Sequence, residues 1–296
     1  MKIQTLAEQA TAYLDKNTDD SAAARLVPGL SLLRQTRPTE LTPELYEPVL
    51  CLILQGRKET IFGDNALDFG PGESLLVSHD VPVIARITTA SPEEPYLALL
   101  LSLDLTLFRS LSDEVGETIG DSNADARSAV VAKSDPRLLD CLSRYVALAN
   151  DPLEAKVMAS LLLRELHFRL LMAHHGGMLR ELLQPDSHAS SITRALARIR
   201  RDFRRSISVP ELAKEIGMSP SSFHKHFKDI TSVTPLQYQK ELRLLEAKRL
   251  LSSTGDSVSV VAYEVGYQSP NQFSREFTRK FGAPPSSFSQ LKVAGS

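Results

Sequence analysis

The 296-residue chain predicts an α+β, multidomain protein: an antiparallel β barrel or sandwich with added helices, then an all-α unit carrying two helix-turn-helix motifs. Three observations lead there. Short apolar runs parted by turn residues fill positions 45–107, a helix–turn–helix pattern is written twice between 208 and 288, and charge divides between the two parts. From residue 190 onward there are 17 Lys+Arg against 9 Asp+Glu; the chain totals of 34 and 36 leave 17 and 27 before it. A net charge of −2 thus joins an acidic N-terminal part to a basic C-terminal one. The length suits two domains, expected at 1–183 and 192–292, with a short polar linker at 184–191 containing Pro185.

In chain order, Pro48 to Gly56 is an apolar run ended by a turn, and shorter runs follow at 59–62, 65–69, 74–78, 81–88 and 96–103. Gly63-Asp64-Asn65 and Gly70-Pro71-Gly72 punctuate them, the spacing of an antiparallel barrel or sandwich. Ser112 to Ser128 is polar and predicts a mobile surface segment. Helices are expected over 136–149 and 152–173, where Leu138, Leu142 and Val146, then Leu153, Val157, Leu161, Leu166 and Leu170, recur at helical spacing. Two uses of that apolar face stay open: packing on the β unit, or a dimer interface.

The C-terminal repeat carries the strongest signal. Ala213 and Gly217 recur 49 residues on as Ala262 and Gly266; Ser219, Pro220, Phe223 and Phe227 recur 50 on as Ser269, Pro270, Phe273 and Phe277. Each copy, about 209–230 and 257–280, reads as helix, glycine turn, helix. Ser208 and Glu211 have the spacing of a capping box. Gly217 stands where the chain must leave a helix, Ser219-Pro220 restarts one, and Phe223 and Phe227, four apart, share an inward face. A helical hairpin used only for packing shares the glycine turn; two copies with matched Ala, Gly, Ser-Pro and paired Phe point instead to double-stranded DNA. Arg194, Arg198, Arg200, Arg201, Arg204 and Arg205 crowd one helix, as phosphate contacts or as a solvated face.

At these residues the segment 190–292 resembles the DNA-binding domain of the AraC/XylS transcriptional regulators, most clearly from Ala262 to Tyr267 and through Phe273-Ser274-Arg275-Glu276-Phe277 to Pro285. The resemblance implies two helix-turn-helix units joined by a long helix, here about 235–251, entering successive major grooves about 34 Å apart. With the inward Phe residues set aside, Ser221, Ser222, His224, Lys225 and Lys228 face outward in the first unit, and Asn271, Gln272, Ser274, Arg275 and Arg279 in the second. By resemblance Ser221, His224 and Lys225, and Asn271, Gln272, Ser274 and Arg275, hold the base-reading positions, with Lys225 and Arg275 foremost. The stretch from Tyr46 through Gln55-Gly56-Arg57-Lys58 to Val83, and on through Glu94-Pro95-Tyr96 to Arg164–Leu171, resembles the cupin-like N-terminal domain of one AraC-family branch. That implies a cupin-like barrel that senses an effector, dimerises, or both.

The sequence argues against an enzyme. His79 stands alone in the strand region, the other histidines (His167, His174, His175, His188, His224 and His226) fall in helices or linker, and no ligand spacing for a metal is present. No catalytic residues, metal site or cofactor are expected. Cys51 and Cys141 read as buried small hydrophobes or as a redox or electrophile sensor. With no signal peptide and no 18-residue apolar span, a cytoplasmic location away from membranes is expected. The resulting expectation is a sequence-specific regulator of transcription with a small-molecule effector, a homodimer and RNA polymerase as further partners. A cupin-type enzyme tethered to DNA-binding helices and an effector-independent DNA binder are the alternatives.

Overall fold

The computed structural model describes residues 2–17, 23–116, 128–173, 176–185 and 187–289. Helix α1 (Lys2–Lys16) precedes strands β1 (Ala23–Val27), β2 (Leu30–Gln35), β3 (Thr42–Tyr46), β4 (Val49–Gln55) and β5 (Arg57–Phe62). Strands β6 (Asn65–Phe69), β7 (Glu73–Val77), β8 (Val81–Thr89) and β9 (Tyr96–Ser102) follow. Next come α2 (Leu105–Val115), β10 (Ala129–Lys133), α3 (Pro136–Ala147), α4 (Pro152–Met172) and α5 (Gly177–Leu183).

The expected cupin-like barrel is not there. The strands form two open antiparallel sheets, six-stranded in the order β1-β2-β9-β4-β7-β10 and four-stranded in the order β3-β8-β5-β6. Among the described residues each sheet keeps two unpaired edges, and no ladder joins β1 or β10 to β3 or β6. A barrel requires its edge strands to pair all the way round. Turn residues in a sequence mark where strands end; they do not say which edges meet. At Gly56, φ +78°, the chain leaves β4 of one sheet and enters β5 of the other, which splits the ladder.

The apolar run of β4 is explained by burial on both faces. Leu50, Leu52 and Leu54 turn with Leu97, Leu99 and Leu101 of β9 toward a helical layer, meeting Leu138 and Leu142 of α3, Leu166 and Leu170 of α4, and Leu6 of α1. Cys51 and Ile53 turn the other way with Leu75 and Val77, against Val83, Ala85 and Ile87 of the smaller sheet. The N-terminal region is therefore three layers: helices, larger sheet, smaller sheet. Each fully buried Leu in the two cores contributes about 1.5–3 kcal/mol.

Helix α4 divides its apolar residues. Leu166 and Leu170 are buried, whereas Leu153, Val157 and Leu161 are 77%, 64% and 56% exposed. Of the segment 112–128, the first residues continue α2; 117–127 lie outside the described residues, as do His174, His175 and Asp186.

The C-terminal region is helical: α6 (His188–Asp202), α7 (Val209–Glu215), α8 (Pro220–Thr231), α9 (Pro235–Ser253), α10 (Val258–Glu264), α11 (Pro270–Phe281) and α12 (Pro285–Ser289). Helix α9 is the shared spine. Its Tyr238 and Leu242 complete a core with Ile192, Ile199, Leu212, Phe223 and Phe227. Its Leu244, Ala247 and Leu251 complete a second with Val261, Ala262, Phe273 and Phe277.

The two regions are docked. Leu45 of β3 packs against the first helical core, and the β5–β6 turn meets the end of α8, where a Cβ on Gly63 would come within 2.7 Å of Ser232 Cβ. Arg200 of α6 forks between Glu47 and Asp80, at 2.8 Å from the latter. His79 is 3% exposed beneath the start of α6, with Ser78 Oγ 2.8 Å from Nδ1 and Ala189 O 3.4 Å from Nε2. The carbonyl only accepts, so Nε2 carries the proton and Nδ1 accepts from the Ser78 hydroxyl. Burial, partly offset by the bond to Ala189, pushes the His79 pKa down to about 4 and keeps the ring neutral near pH 7.

Candidate nucleic-acid interface

Both helix-turn-helix units are built by the same local chemistry. Helix α7 ends in a Schellman motif: Met218 N donates to Ala213 O at 2.9 Å and Gly217 N to Lys214 O at 3.1 Å, with Gly217 at φ +77°. Helix α10 repeats it, Tyr267 N to Ala262 O at 2.9 Å and Gly266 N to Tyr263 O at 3.0 Å, with Gly266 at φ +94°. The second helices restart alike. Ser219 Oγ accepts from Ser222 N and Ser269 Oγ from Gln272 N, each at 3.3 Å, with Pro220 and Pro270 in the first turn.

Inside, Phe223 and Phe227 sit edge to face at 5.4 Å, and Phe273 and Phe277 lie 5.4 Å apart. All four are fully buried, as are Ala213 in the first copy and Ala262 in the second. Ser208 Oγ accepts from Glu211 N at 3.4 Å; the reciprocal capping box closes at Thr234 and Gln237.

Packing of the Phe face leaves the opposite face of α8 and α11 in solvent. Ser221, His224, Lys225 and Lys228 are exposed and Ser222 half-buried; Asn271, Gln272, Arg275 and Arg279 are exposed and Ser274 half-buried. Gln272 Nε2 donates to Glu276 Oε1 at 3.2 Å, so part of its hydrogen-bonding capacity is already engaged. Lys225, Lys228, Arg275 and Arg279 enter no ion pair among the described residues, which leaves four cations available on two exposed helices.

The arginines of α6 and its end behave differently. Arg198 pairs with Asp202 and Glu215, Arg200 with Glu47 and Asp80, and Arg204 with Glu246 and Glu264. Arg194 donates to Ser191 Oγ at 3.1 Å. A dense arginine helix therefore need not be a phosphate surface: its charge is largely compensated within the fold. Two polar residues that periodicity did not single out hold this region. Gln239 and Arg243 of α9 both donate to the Phe203 and Arg205 carbonyls, fixing the connection between α6 and α7. Their only sequence signal was polarity on an otherwise packed spine.

Outside this face the other candidates are structural. His167 is buried, accepting from the Asp104 amide at Nε2 (2.8 Å) and donating from Nδ1 to Leu163 O (2.8 Å), which anchors the start of α2. Burial pushes the Cys51 thiol up and the Cys141 thiol up to about 12, which suppresses the thiolate that redox sensing needs. Among the described residues no group of three His, Cys, Asp or Glu could hold a metal ion, and no helix is long and apolar enough to cross a membrane.

Comparison with known proteins agrees with this geometry. The family described as AraC-type transcriptional regulator N-terminus matches residues 26–178, and a helix-turn-helix domain family matches 212–290. The HTH-type transcriptional activator RhaS of Escherichia fergusonii is 31% identical over 114 residues, 38% of this chain and 41% of that protein. RhaS of Escherichia coli O139:H28 is 32% identical over 123 residues, 41% and 44% of the two chains. The chain thus spans less than half the length of these two curated relatives. The thermoregulatory protein LcrF of Yersinia pestis is 23% identical over 249 residues, 83% of this chain and 90% of that one. Among solved structures, fatty-acid-bound ToxT from Vibrio cholerae superposes with a TM-score of 0.60 at 11% identity, over 89% of this chain and 94% of that one, a likeness of fold.

Proposed function

This chain belongs to the AraC-type transcriptional regulators, and we propose that it binds specific DNA sequences through α8 and α11 and regulates transcription in response to a small-molecule effector. One observation carries the reading. The two units share the inward residues Ala213/Ala262, Gly217/Gly266, Phe223/Phe273 and Phe227/Phe277, while their outward residues differ, His224-Lys225 against Ser274-Arg275. Duplication for packing alone gives no reason for cations to gather unpaired on the divergent face. Two different readers joined by one spine favour an operator that is asymmetric for each monomer. Arg275 suits guanine O6 and N7, and Asn271 or Gln272 suits adenine.

In this reading the boundaries at about 183 and 192 separate the effector-responsive part from the DNA-binding part. The docked contacts through Arg200, Leu45 and Gly63 hold one arrangement of the two. An effector that binds another arrangement more tightly would shift the population by its differential binding energy and change operator affinity or contact with RNA polymerase. The exposed stripe of Leu153, Val157 and Leu161 is the surface we assign to a homodimer. Cytoplasmic action, beside the chromosome, belongs to the same reading. Footprinting of the purified full chain on DNA upstream of its neighbouring genes tests it: a bounded protected site at moderate salt supports sequence-specific regulation, and uniform protection at every sequence refutes it.

A further inference from the structure

Gln272 stands in the first turn of α11, the part of a reading helix that meets base edges. It is exposed, yet its carboxamide is tethered. Nε2 donates to Glu276 Oε1 at 3.2 Å, one helical turn on, and the other oxygen of Glu276 accepts from the Tyr267 hydroxyl at 2.9 Å. Tyr267 is 6% exposed, its ring set edge to face against Phe273 at 5.3 Å. The Arg243 guanidinium lies 5.9 Å from the centre of the same ring and itself donates to the Phe203 carbonyl at 2.7 Å. A chain of contacts thus runs from the packed interior to the surface: buried phenol, half-buried carboxylate, exposed amide.

A Gln and a Glu four apart on a helix surface are an ordinary pair that adds little stability. What distinguishes this pair is a carboxylate fixed from behind by a buried hydroxyl. A carboxylate only accepts, so it takes an N–H of the amide and repels the amide oxygen. With one N–H on Glu276, Gln272 presents Oε1 and its second N–H to solvent, an acceptor and a donor together. Adenine shows the complement in the major groove, the N6 amino group and N7, whereas guanine shows two acceptors, O6 and N7. We propose that Glu276 is a positioning residue that fixes Gln272 as the reader of one adenine, with Tyr267 as its anchor. The proposal rests on the regulator reading above and names the residues that set one position of its specificity.

The first unit lacks the device. At the matching places of the repeat, Ser222, His226 and Met218 stand for Gln272, Glu276 and Tyr267. A serine hydroxyl rotates to donate or accept as needed, and a methionine has no hydroxyl to anchor a neighbour. His226 is used otherwise: its ring stacks on His188 at the start of α6, 3.7 Å between centres. Asn271, the other exposed carboxamide of α11, has no hydrogen-bond partner for its side chain among the described residues. Its amide can present either end, so the adenine falls to Gln272 rather than Asn271.

The test uses the full chain and the duplex that footprinting defines, with each of the four base pairs placed in turn at every position of the protected site. Competition binding followed by fluorescence anisotropy gives the preference ratios. Gln272→Ala locates its position as the one where preference collapses. There the wild type is expected to favour adenine about tenfold, and 7-deazaadenine, which lacks the N7 acceptor, should lose most of that advantage. Glu276→Ala, Glu276→Gln and Tyr267→Phe should each reduce the ratio at that position several-fold and leave the ratios elsewhere as they are. Loss of the Glu276 charge also strengthens phosphate attraction on every sequence alike, so the ratio and not the affinity is the readout. Glu276→Gln keeps the size of the side chain but can donate as well as accept, which separates orientation from packing. The proposal is overturned if the Gln272-dependent preference is absent or is for another base, if folded Glu276 variants keep the wild-type ratio there, or if ratios fall equally at every position, as a merely structural role would give. Should Glu276→Ala not fold, Glu276→Gln decides. A bounded wild-type footprint with unchanged ratios in the variants sinks this assignment alone; no bounded footprint on any sequence sinks the regulator reading.

Discussion

The duplicated turn contains its own control for a stability measurement. Gly217 and Gly266 hold the same place in the same Schellman motif, both at positive φ, yet their surroundings differ. A Cβ built on Gly217 meets nothing within 4 Å. Gly217→Ala therefore suffers only the left-handed backbone penalty of an L-residue, about 1–2 kcal/mol, less a few tenths recovered from the stiffer unfolded chain. A Cβ on Gly266 would lie 2.1 Å from Arg204 O and 2.8 Å from its carbonyl carbon. Backbone cannot rotate aside as a side-chain tip does, and this stretch is pinned by Gln239 and Arg243 through the flanking Phe203 and Arg205 carbonyls. Relieving the clash adds about 1–3 kcal/mol of overpacking, for a total near 2–5 kcal/mol. Urea denaturation of both variants, followed by circular dichroism with unchanged m values, gives the two losses. Equal losses, or a larger one for Gly217→Ala, would refute the claim that close approach of the α6–α7 connection distinguishes the two turns.

Three further outcomes are expected. Arg275→Ala should weaken operator binding by about 1–3 kcal/mol and relax preference at one base pair, measured by gel shift on a panel of operator variants; equal weakening on every sequence assigns it to phosphate instead. Arg200→Ala removes two pairs, an exposed one to Glu47 worth about 0.2–1 kcal/mol and one to the half-buried Asp80, so limited proteolysis between α5 and α6 should speed up a few-fold; an unchanged rate means the apolar contacts alone hold the docking. For His79, whose folded pKa lies below the ordinary 6.5, the unfolded chain binds the proton more readily. Its contribution is therefore fully present above pH 6.5 and lost as pH falls toward 4, by about 3 kcal/mol in all. Unfolding free energies from pH 8 to 4 should show that loss in the wild type and a shallower one in His79→Gln; parallel curves would remove His79 from the account.

The helix-turn-helix repeat was legible because everything that makes it is short-range. A serine accepts from an amide three residues on, a glycine closes a turn five residues wide, and two Phe four apart must share a face, so spacing alone located the elements and their inward side. Strands β4 to β9 were legible for a similar reason, each bracketed by turn residues. What spacing could not decide is which strands meet. The pairing of β4 with both β7 and β9, and of β8 with β3 and β5, joins residues tens of positions apart, so an expected barrel became two open sheets. Strands β1 and β2, although Pro28-Gly29 marks the turn between them, were not anticipated, nor was β10.

Composition likewise proposed partners that only packing could assign. Six arginines near α6 read as one basic face, but Arg198, Arg200 and Arg204 find carboxylates within the fold, while Lys225, Lys228, Arg275 and Arg279 on α8 and α11 enter no ion pair among the described residues. Lys58, on β5 of the smaller sheet, is buried because its face is turned to the larger sheet, where its ammonium lies 5.2 Å from the Tyr46 ring centre. Local hydrogen bonds and side-chain spacing are written in neighbouring residues, and so the sequence by itself determined the reading helices and their faces. Burial and charge pairing depend on which distant surfaces come together. The open sheets, the docking of the two regions and the burial of Lys58 were therefore decided by tertiary structure.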